Sequence, residues 1–196
     1  MFSEAARRHS RNFLEPVAQF ISVTGVSPNV LTVTGTLLMV IVAVVLAKGY
    51  FFWGGILISA LALFDAIDGT LARMMGRTSR FGAFLDSTLD RFSEAIIFLG
   101  LLVYYIGQNQ QLELVLIYVT VVGSMMVSYA RARAEGIGVS LKDGLFTRFE
   151  RVLLLVVGLL FNQVTLVLWI LAIFSNFTAI QRMVAVWYIT GGEKGG

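Results

Sequence analysis

Cysteine is absent from the 196 residues, which excludes disulfides and thiolate chemistry and leaves oxygen or histidine as the ligands for any metal. Histidine is almost absent too. His9 is the single one, and it sits in a polar, basic N-terminal stretch where solvation is its expected state. Charge is also scarce: 14% of residues are charged and 57% hydrophobic, with mean hydropathy +0.81. Soluble domains carry about 25% charged residues, so a soluble class is excluded and one domain embedded in a bilayer is expected. The formal net charge of +3 is too small to point to nucleic acid. The first fifteen residues, with Arg7, Arg8 and Arg11, lack the apolar core of a cleavable signal, so insertion through internal spans is expected. There is no internal repeat, low-complexity tract or second soluble domain.

What is present is a series of long apolar runs, each near the roughly 20 residues that a spanning helix needs. The first covers 28–47, with Ser27 as candidate N-cap and Pro28 at the first helical position. The second covers 51–73, with Asp65, Asp68 and Arg73 in its last third. A third runs over 83–106 with Asp86 and Asp90 in its first third, and a fourth over 112–134, ending in Arg131 and Arg133. Beyond these, one helix across 152–174 would make five spans, whereas two helices, 146–161 and 164–189, would make six.

Charge placement favours six. Lys and Arg collect in cytoplasmic loops, and with the N-terminus inside, the inner ends of six helices hold every Lys and Arg except Lys48. Five spans would put Arg182 and Lys194 outside. Residues 2–23 mix Phe13, Leu14, Val17, Phe20 and Ile21 with three arginines at helical spacing, as in an amphipathic surface helix; a frayed tail is the other reading. The expected fold is therefore all-α: a polytopic membrane protein with six transmembrane helices and an N-terminal amphipathic surface helix. Its parts are 1–24, a juxtamembrane helix; 25–190, the six-helix domain; and 191–196, a disordered tail.

The segment 65–90 carries the chemistry. Asp65 and Asp68 stand at i and i+3, Asp86 and Asp90 at i and i+4, so each pair shares a helix face. The polar turn Gly76-Arg77-Thr78-Ser79-Arg80 sends the second helix back beside the first, and four carboxylates converge near the cytoplasmic surface. Each Asp at a helix centre costs about 2.5–3.5 kcal/mol to insert, and mutual repulsion adds to that. Hard divalent cations relieve both burdens; carboxylates without soft ligands suit Mg²⁺ or Mn²⁺, which commonly also hold substrate phosphates. Gly69 and Gly82 permit close approach of a phosphate or a helix, and Arg73 offers charge to phosphate. The plainer alternative, salt bridges to Arg73, Arg77, Arg80 and Arg91, accounts for one or two aspartates but not for four on matching faces.

The pattern D-x2-D-G-x2-A-R-x8-G-x3-D-x3-D resembles the signature of the CDP-alcohol phosphotransferases, and all eight fixed positions are filled. At average residue usage such a match arises by chance about once in 10⁹–10¹⁰ placements. Ser27-Pro28-Asn29-Val30-Leu31-Thr32-Val33-Thr34-Gly35 is also similar to the family's P-N-x-x-T-x-x-G opening of its first helix. The resemblance implies that Asp65, Asp68 and Asp86 bind two divalent ions holding the diphosphate of a CDP-linked lipid such as CDP-diacylglycerol. Asp90 would be the general base on the acceptor hydroxyl, touching metal as well, with CMP as the leaving group. Asn29, Thr32, Gly69, Ala72, Arg73 and Gly82 would form the nucleotide site.

The acceptor must be read elsewhere. Arg131 and Arg133 end the fourth helix and diverge by about 200° on an ideal helix; Arg182 lies well inside the last apolar stretch. Three arginines for one acceptor argue for a phosphorylated alcohol, whereas Arg131 and Arg133 could equally be snorkelling stop-transfer charges. The segment Ser128-Tyr129-Ala130-Arg131-Ala132-Arg133-Ala134-Glu135 resembles the version in phosphatidylinositol phosphate synthases and their archaeal ether-lipid relatives, where a basic pocket binds inositol phosphate. That likeness implies inositol 1-phosphate as acceptor. Glycerol 3-phosphate, an ether-linked donor and, in a different class, a cation transporter remain as alternatives. Glu135, Asp143 and Glu150 read as surface charges pairing with Lys142, Arg148 and Arg151. Trp53, Trp169 and Trp187 suit interfacial belts, and Gly35, Gly54, Gly55 and Gly100 suit helix packing. The family resemblance further implies a homodimer, in the plasma membrane of a prokaryote with termini and active site cytoplasmic.

Overall fold

A computed structural model of the chain describes residues 27–74, 79–141, 144 and 146–191, with residues 28 and 64–74 followed as backbone only. Six helices account for nearly all of them: α1 (Pro28–Ala47), α2 (Phe51–Met74), α3 (Arg80–Gly107), α4 (Gln111–Gly136), α5 (Arg148–Leu160) and α6 (Val164–Thr190). No strand occurs among the described residues. The expected juxtamembrane helix at 1–24 lies outside the described residues, as do the expected tail at 191–196 apart from Gly191, and Arg77, Lys142 and Asp143.

The helix boundaries follow local chemistry. Ser27 is extended before α1, Pro28 follows at the first helical position, and the Ser27 carbonyl accepts from the amides of Val30 and Leu31. α1 stops at a tight turn where Gly49 adopts φ +81°, a left-handed conformation open to glycine at little cost. The Ser79 hydroxyl caps α3 by accepting from the Gly82 amide at 2.8 Å. At the start of α5 the Thr147 amide donates to the Glu150 carboxylate at 2.9 Å. Between α5 and α6 the chain reverses through Asn162, φ 55°. That turn divides 146–189 into two helices, as the charge placement predicts, and excludes a single helix across 152–174.

Contacts set the direction of each helix. Thr36 meets Ser93, and Ala43 meets Gly100, so α1 and α3 run parallel. Asp90 with Arg148 and Glu94 with Arg151 make α3 and α5 parallel. Glu113 with Thr165, Val119 with Asn176 and Val127 with Arg182 do the same for α4 and α6. Short turns make α2, α4 and α6 antiparallel to the helices they follow. The start of α1, α3 and α5 therefore shares one end of the bundle with the close of α2, α4 and α6. Lys48 stands at the other end.

The core is built from Val42, Leu46, Ile58, Leu101, Leu159, Leu168 and Leu171, each almost fully buried. Large apolar residues also cover the outside: Leu37 and Ile41 on α1, Tyr118 on α4 and Ile180 on α6 are all more than half exposed. Such a surface suits lipid rather than water. α1, α4 and α6 are long and apolar enough to cross a membrane. Within α2, the described residues Phe51–Leu63 form a shorter apolar stretch. α5, with 13 residues, is about 20 Å long at 1.5 Å per residue, short of the roughly 30 Å hydrocarbon core.

Small residues bring the helices together. A Cβ at Gly100 would lie 2.5–2.9 Å from the backbone O, Cα and C of Ala43. Because backbone cannot swing aside, Gly100→Ala should push α1 from α3 and destabilise the protein by about 1–3 kcal/mol. Reversible unfolding in detergent would read this, with Gly107→Ala as control, since nothing lies within 4 Å of a Cβ there.

Candidate active site

The end of the bundle where α1, α3 and α5 begin collects the polar residues. Asn29 and Thr32 lie one turn apart on α1, and Thr32 is buried. A Cβ at Gly82 would sit 3.1 Å from Asn29 Oδ1 and 3.0 Å from Ser79 Oγ, so the missing side chain lets the Asn29 amide rest against the first turn of α3. One turn further along α1, the Ser93 hydroxyl donates to Thr36 at 3.3 Å. Of the proposed nucleotide residues, Asn29, Thr32 and Gly82 thus come together.

Asp86, Asp90 and Glu94 stand at i, i+4 and i+8 along α3, an acidic column that goes from exposed to buried. Asp86 is exposed. Asp90 is half-buried; Arg148 on α5 meets its Oδ1 at 2.6 Å, and Arg91 lies 3.8 Å from its Oδ2. Glu94 is buried and takes both arms of Arg151, Nε to Oε1 at 2.8 Å and Nη2 to Oε2 at 3.0 Å, with Ser124 of α4 also bonded to its carboxylate. Arg151 Nη1 donates to the Phe146 carbonyl at 3.3 Å, tying down the chain that leads into α5.

This differs from the expectation of surface pairs around Glu135, Asp143 and Glu150. Arg148 and Arg151, at i and i+3 on α5, point inward to Asp90 and Glu94, because parallel packing of α3 and α5 matches the two spacings. Glu150 instead bonds Thr147 in the helix cap, and Glu135 bonds Arg131 at 2.9 Å. The acid at 94 escaped the sequence reading; its position one turn after Asp90 was the available signal.

On α2 the backbone is helical through Asp65, Asp68, Gly69, Ala72 and Arg73, in the stretch that closes at the same end. Their side chains lie outside the described residues. Among the described residues no group of three or more Asp, Glu or His could hold an ion, so α3 alone contributes Asp86 and Asp90 and any fuller set requires α2. The donors on both helices are carboxylates, a chemistry that fits hard divalent ions.

Arg182, on α6, is only 6% exposed. Its Nη1 donates to the Val127 carbonyl at 2.7 Å, while its buried Nε has no hydrogen-bond partner among the described residues. Arg131, Arg151 and Arg91 lie within electrostatic reach of it. Arg131 and Arg133 are both exposed at the close of α4.

An all-helical apolar bundle with aspartates on α2 and α3 and arginines on α4, α5 and α6 at one end has the makings of a membrane phosphotransferase. The CDP-alcohol phosphatidyltransferase family model matches residues 25–188, and the chain belongs to that family, a class of transferases for substituted phosphate groups. It is 41% identical to the phosphatidylinositol phosphate synthase of Streptomyces avermitilis, across 95% of this chain and 82% of that one. It is 37% identical to the archaetidylinositol phosphate synthase of Pyrococcus horikoshii, across 87% of this chain and 88% of that one. The fold resembles the crystal structure of Mycobacterium tuberculosis phosphatidylinositol phosphate synthase with CDP-DAG bound, at TM-score 0.83 and 32% identity over 90% of this chain and 94% of that one. The same protein solved with manganese and citrate aligns at TM-score 0.82, 32% identity, over 89% and 88%.

Removing one partner of a buried ion pair leaves an uncompensated charge and costs about 3–5 kcal/mol, whereas replacing both with apolar residues is often near neutral. Glu94→Leu and Arg151→Met should each lower stability by that amount. The double variant should recover most of the loss, as read by unfolding in detergent.

Proposed function

We propose that the chain transfers a phosphatidyl group from CDP-diacylglycerol to inositol 1-phosphate, giving phosphatidylinositol phosphate and CMP. The observation that carries this reading is Arg182: a buried cation with an open donor, at the end of the bundle where Asp86 and Asp90 stand. A buried guanidinium needs a counter-charge, and an acceptor phosphate supplies one. The named activity of the Streptomyces relative, aligned over 95% of this chain, supports the same acceptor.

Asp65, Asp68, Asp86 and Asp90 would hold two ions, Mg²⁺ or Mn²⁺, which when bound neutralise the diphosphate and the departing CMP. Asn29, Thr32, Gly69, Ala72, Arg73 and Gly82 line the cytidine nucleotide. Arg182 and Arg131 orient the acceptor by its phosphate, with Arg133 at the rim. Asp90 takes the proton of an acceptor hydroxyl. That oxygen attacks the phosphorus next to the lipid, its bond to phosphorus forms as the bond to CMP breaks, and CMP leaves with the electron pair. Arg148 and Arg91 hold Asp90 from two sides, so the carboxylate meets the acceptor in one orientation.

The chain lies in a prokaryotic plasma membrane as six membrane helices forming the domain 25–190, with the active-site end cytoplasmic. All Lys and Arg of the described residues except Lys48 stand at that end, in accord with positive-inside placement. The protein works as a homodimer. The Pyrococcus relative favours one second reading, the same chemistry with an ether-linked donor.

CMP release from purified protein with CDP-diacylglycerol and Mg²⁺ should appear with inositol 1-phosphate and not with free inositol, glycerol 3-phosphate or serine. Release with glycerol 3-phosphate instead would discard the acceptor but keep the aspartate chemistry. No release with either donor type or metal would return the site to ion transport. Asp90→Asn should retain CDP-lipid binding and lose transfer by at least about a hundredfold, whereas Asp65→Asn should lose metal binding as well. Wild-type turnover in Asp90→Asn would remove the proposed base.

A further inference from the structure

At the end of the bundle away from the aspartates, one acid has no cation. Glu113, in the first turn of α4, is only 9% exposed. No Lys or Arg among the described residues forms an ion pair with it. Its Oε1 instead accepts from the Thr165 hydroxyl of α6 at 3.0 Å. The Tyr105 hydroxyl of α3 stands within hydrogen-bond reach of Thr165 and feels the Glu113 charge. A buried carboxylate left to neutral hydroxyls is costly, and the helix N-termini beside it offset that only in part. An ionisable residue in a membrane helix, remote from the catalytic chemistry, points to a ligand of its own.

The space beside these hydroxyls shows what such a ligand would meet. Thr165 and Tyr105 line a cavity of about 140 Å³, together with Phe51 and, at an exposed rim, Asn162 and Gln163. The wall offers aromatic rings, hydroxyl and amide oxygens, and a negative charge one hydroxyl behind it. A divalent metal ion calls for more anionic oxygen than this. An ammonium group fits: its N–H donors meet the oxygens, and its charge suits both the rings and the carboxylate.

The cavity does not stand alone. It shares Phe51 and Asn162 with a second one of about 290 Å³, lined also by Gly49, Trp53, Leu159 and Leu160. Tyr50, Phe52 and Trp53 are more than half exposed there, as in the aromatic belt of a membrane interface. Lys48, the one cation of the described residues at this end, adjoins Gly49 and is exposed. A negative charge inside, a positive charge outside and an apolar trough beside them match a zwitterion that carries a hydrocarbon chain. We propose that this end of the bundle binds an aminophospholipid from the leaflet opposite the active site. Its primary ammonium enters the cavity beside Glu113, its phosphate meets Lys48, and its chain lies along Leu159 and Leu160.

The test reads Trp53 fluorescence in the full-length protein carrying Trp169→Phe and Trp187→Phe, as dibrominated phospholipids are titrated into detergent micelles. The ethanolamine lipid should quench at about tenfold lower mole fraction than the glycerol lipid, the size of one charge-assisted hydrogen bond. The choline lipid, which has no N–H, should fall near the glycerol one. In Glu113→Gln the ethanolamine preference should disappear, while CMP release stays at the wild-type level because the aspartates are remote. Lys48→Gln should weaken all three lipids and keep their order. An N-acetylated ethanolamine lipid, whose ammonium is gone, puts the same question to protein with Glu113 intact, and should quench no better than the glycerol lipid. That arm decides alone if Glu113→Gln fails to fold. Equal quenching by all headgroups, a preference that survives in Glu113→Gln or with the N-acetylated lipid, or unaltered quenching in Lys48→Gln would each overturn the proposal. So would relief of quenching by an equal concentration of free ethanolamine, which would make the occupant a soluble amine.

Discussion

Two ion pairs between parallel helices, Asp90 with Arg148 and Glu94 with Arg151, hold the polar end of this bundle together. Charges are expensive inside a protein in lipid, and a lone one at the depth of Glu94 would be prohibitive. The bidentate geometry, the Ser124 contact and the Phe146 carbonyl satisfy the donors and acceptors of that pair, so it can be buried. The pairing then does mechanical work. It fixes the register of α5 on α3, brings the loop from α4 against α6, and sets Arg148 on one oxygen of Asp90. A salt bridge of this kind adds little net stability, but it specifies one arrangement over its neighbours.

Around that anchor the bundle is divided by chemistry. α1 and α3 approach closely through Gly100 and Ala43 toward the far end, and at the polar end they carry Asn29, Thr32, Gly82, Asp86 and Asp90. On the other side, α4 and α6 run parallel, joined by Asn176 bonded to Val119 and by Arg182 bonded to Val127. Asp86, Asp90 and Glu94 lie on α3, and Arg131, Arg133 and Arg182 on α4 and α6, with Arg148 and Arg151 of α5 between them. A diphosphate donor and a phosphorylated acceptor are both anions, and their repulsion has to be overcome where they meet. In the proposed function, carboxylates and arginines gathered at one end answer that requirement by electrostatics, with the fold supplying the orientation.

The exposed apolar residues on the outside and the short turns at the far end follow from the same solvent. Lipid provides no hydrogen bonds, so each backbone group within it is satisfied inside a helix. Helix association then depends on close packing at small residues rather than on a hydrophobic drive. Gly55 against Leu159 and Leu160, and Gly158 against Val167, serve this purpose where α2, α5 and α6 meet.

Helix number, helix limits and family were legible in the linear chain, because apolar run length, the turn at Asn162 and the spacing of Asp65, Asp68, Asp86 and Asp90 are properties of order and interval. The sharing of one end by Asn29, Gly82, Asp86 and Asp90 follows from the same intervals once α1 and α3 are parallel. Partners were not legible. Arg148 and Arg151 look like solvated charges in sequence, and only the packing of α5 on α3 turns them inward to Asp90 and Glu94. Arg182 stands apart from Arg131 and Arg133 already in sequence, inside the last apolar stretch, but its bond to the Val127 carbonyl appears only in the fold. Local geometry is written in sequence intervals, whereas the pairing of a charge and the need for an empty space depend on residues brought from distant helices, and only the tertiary fold decides them.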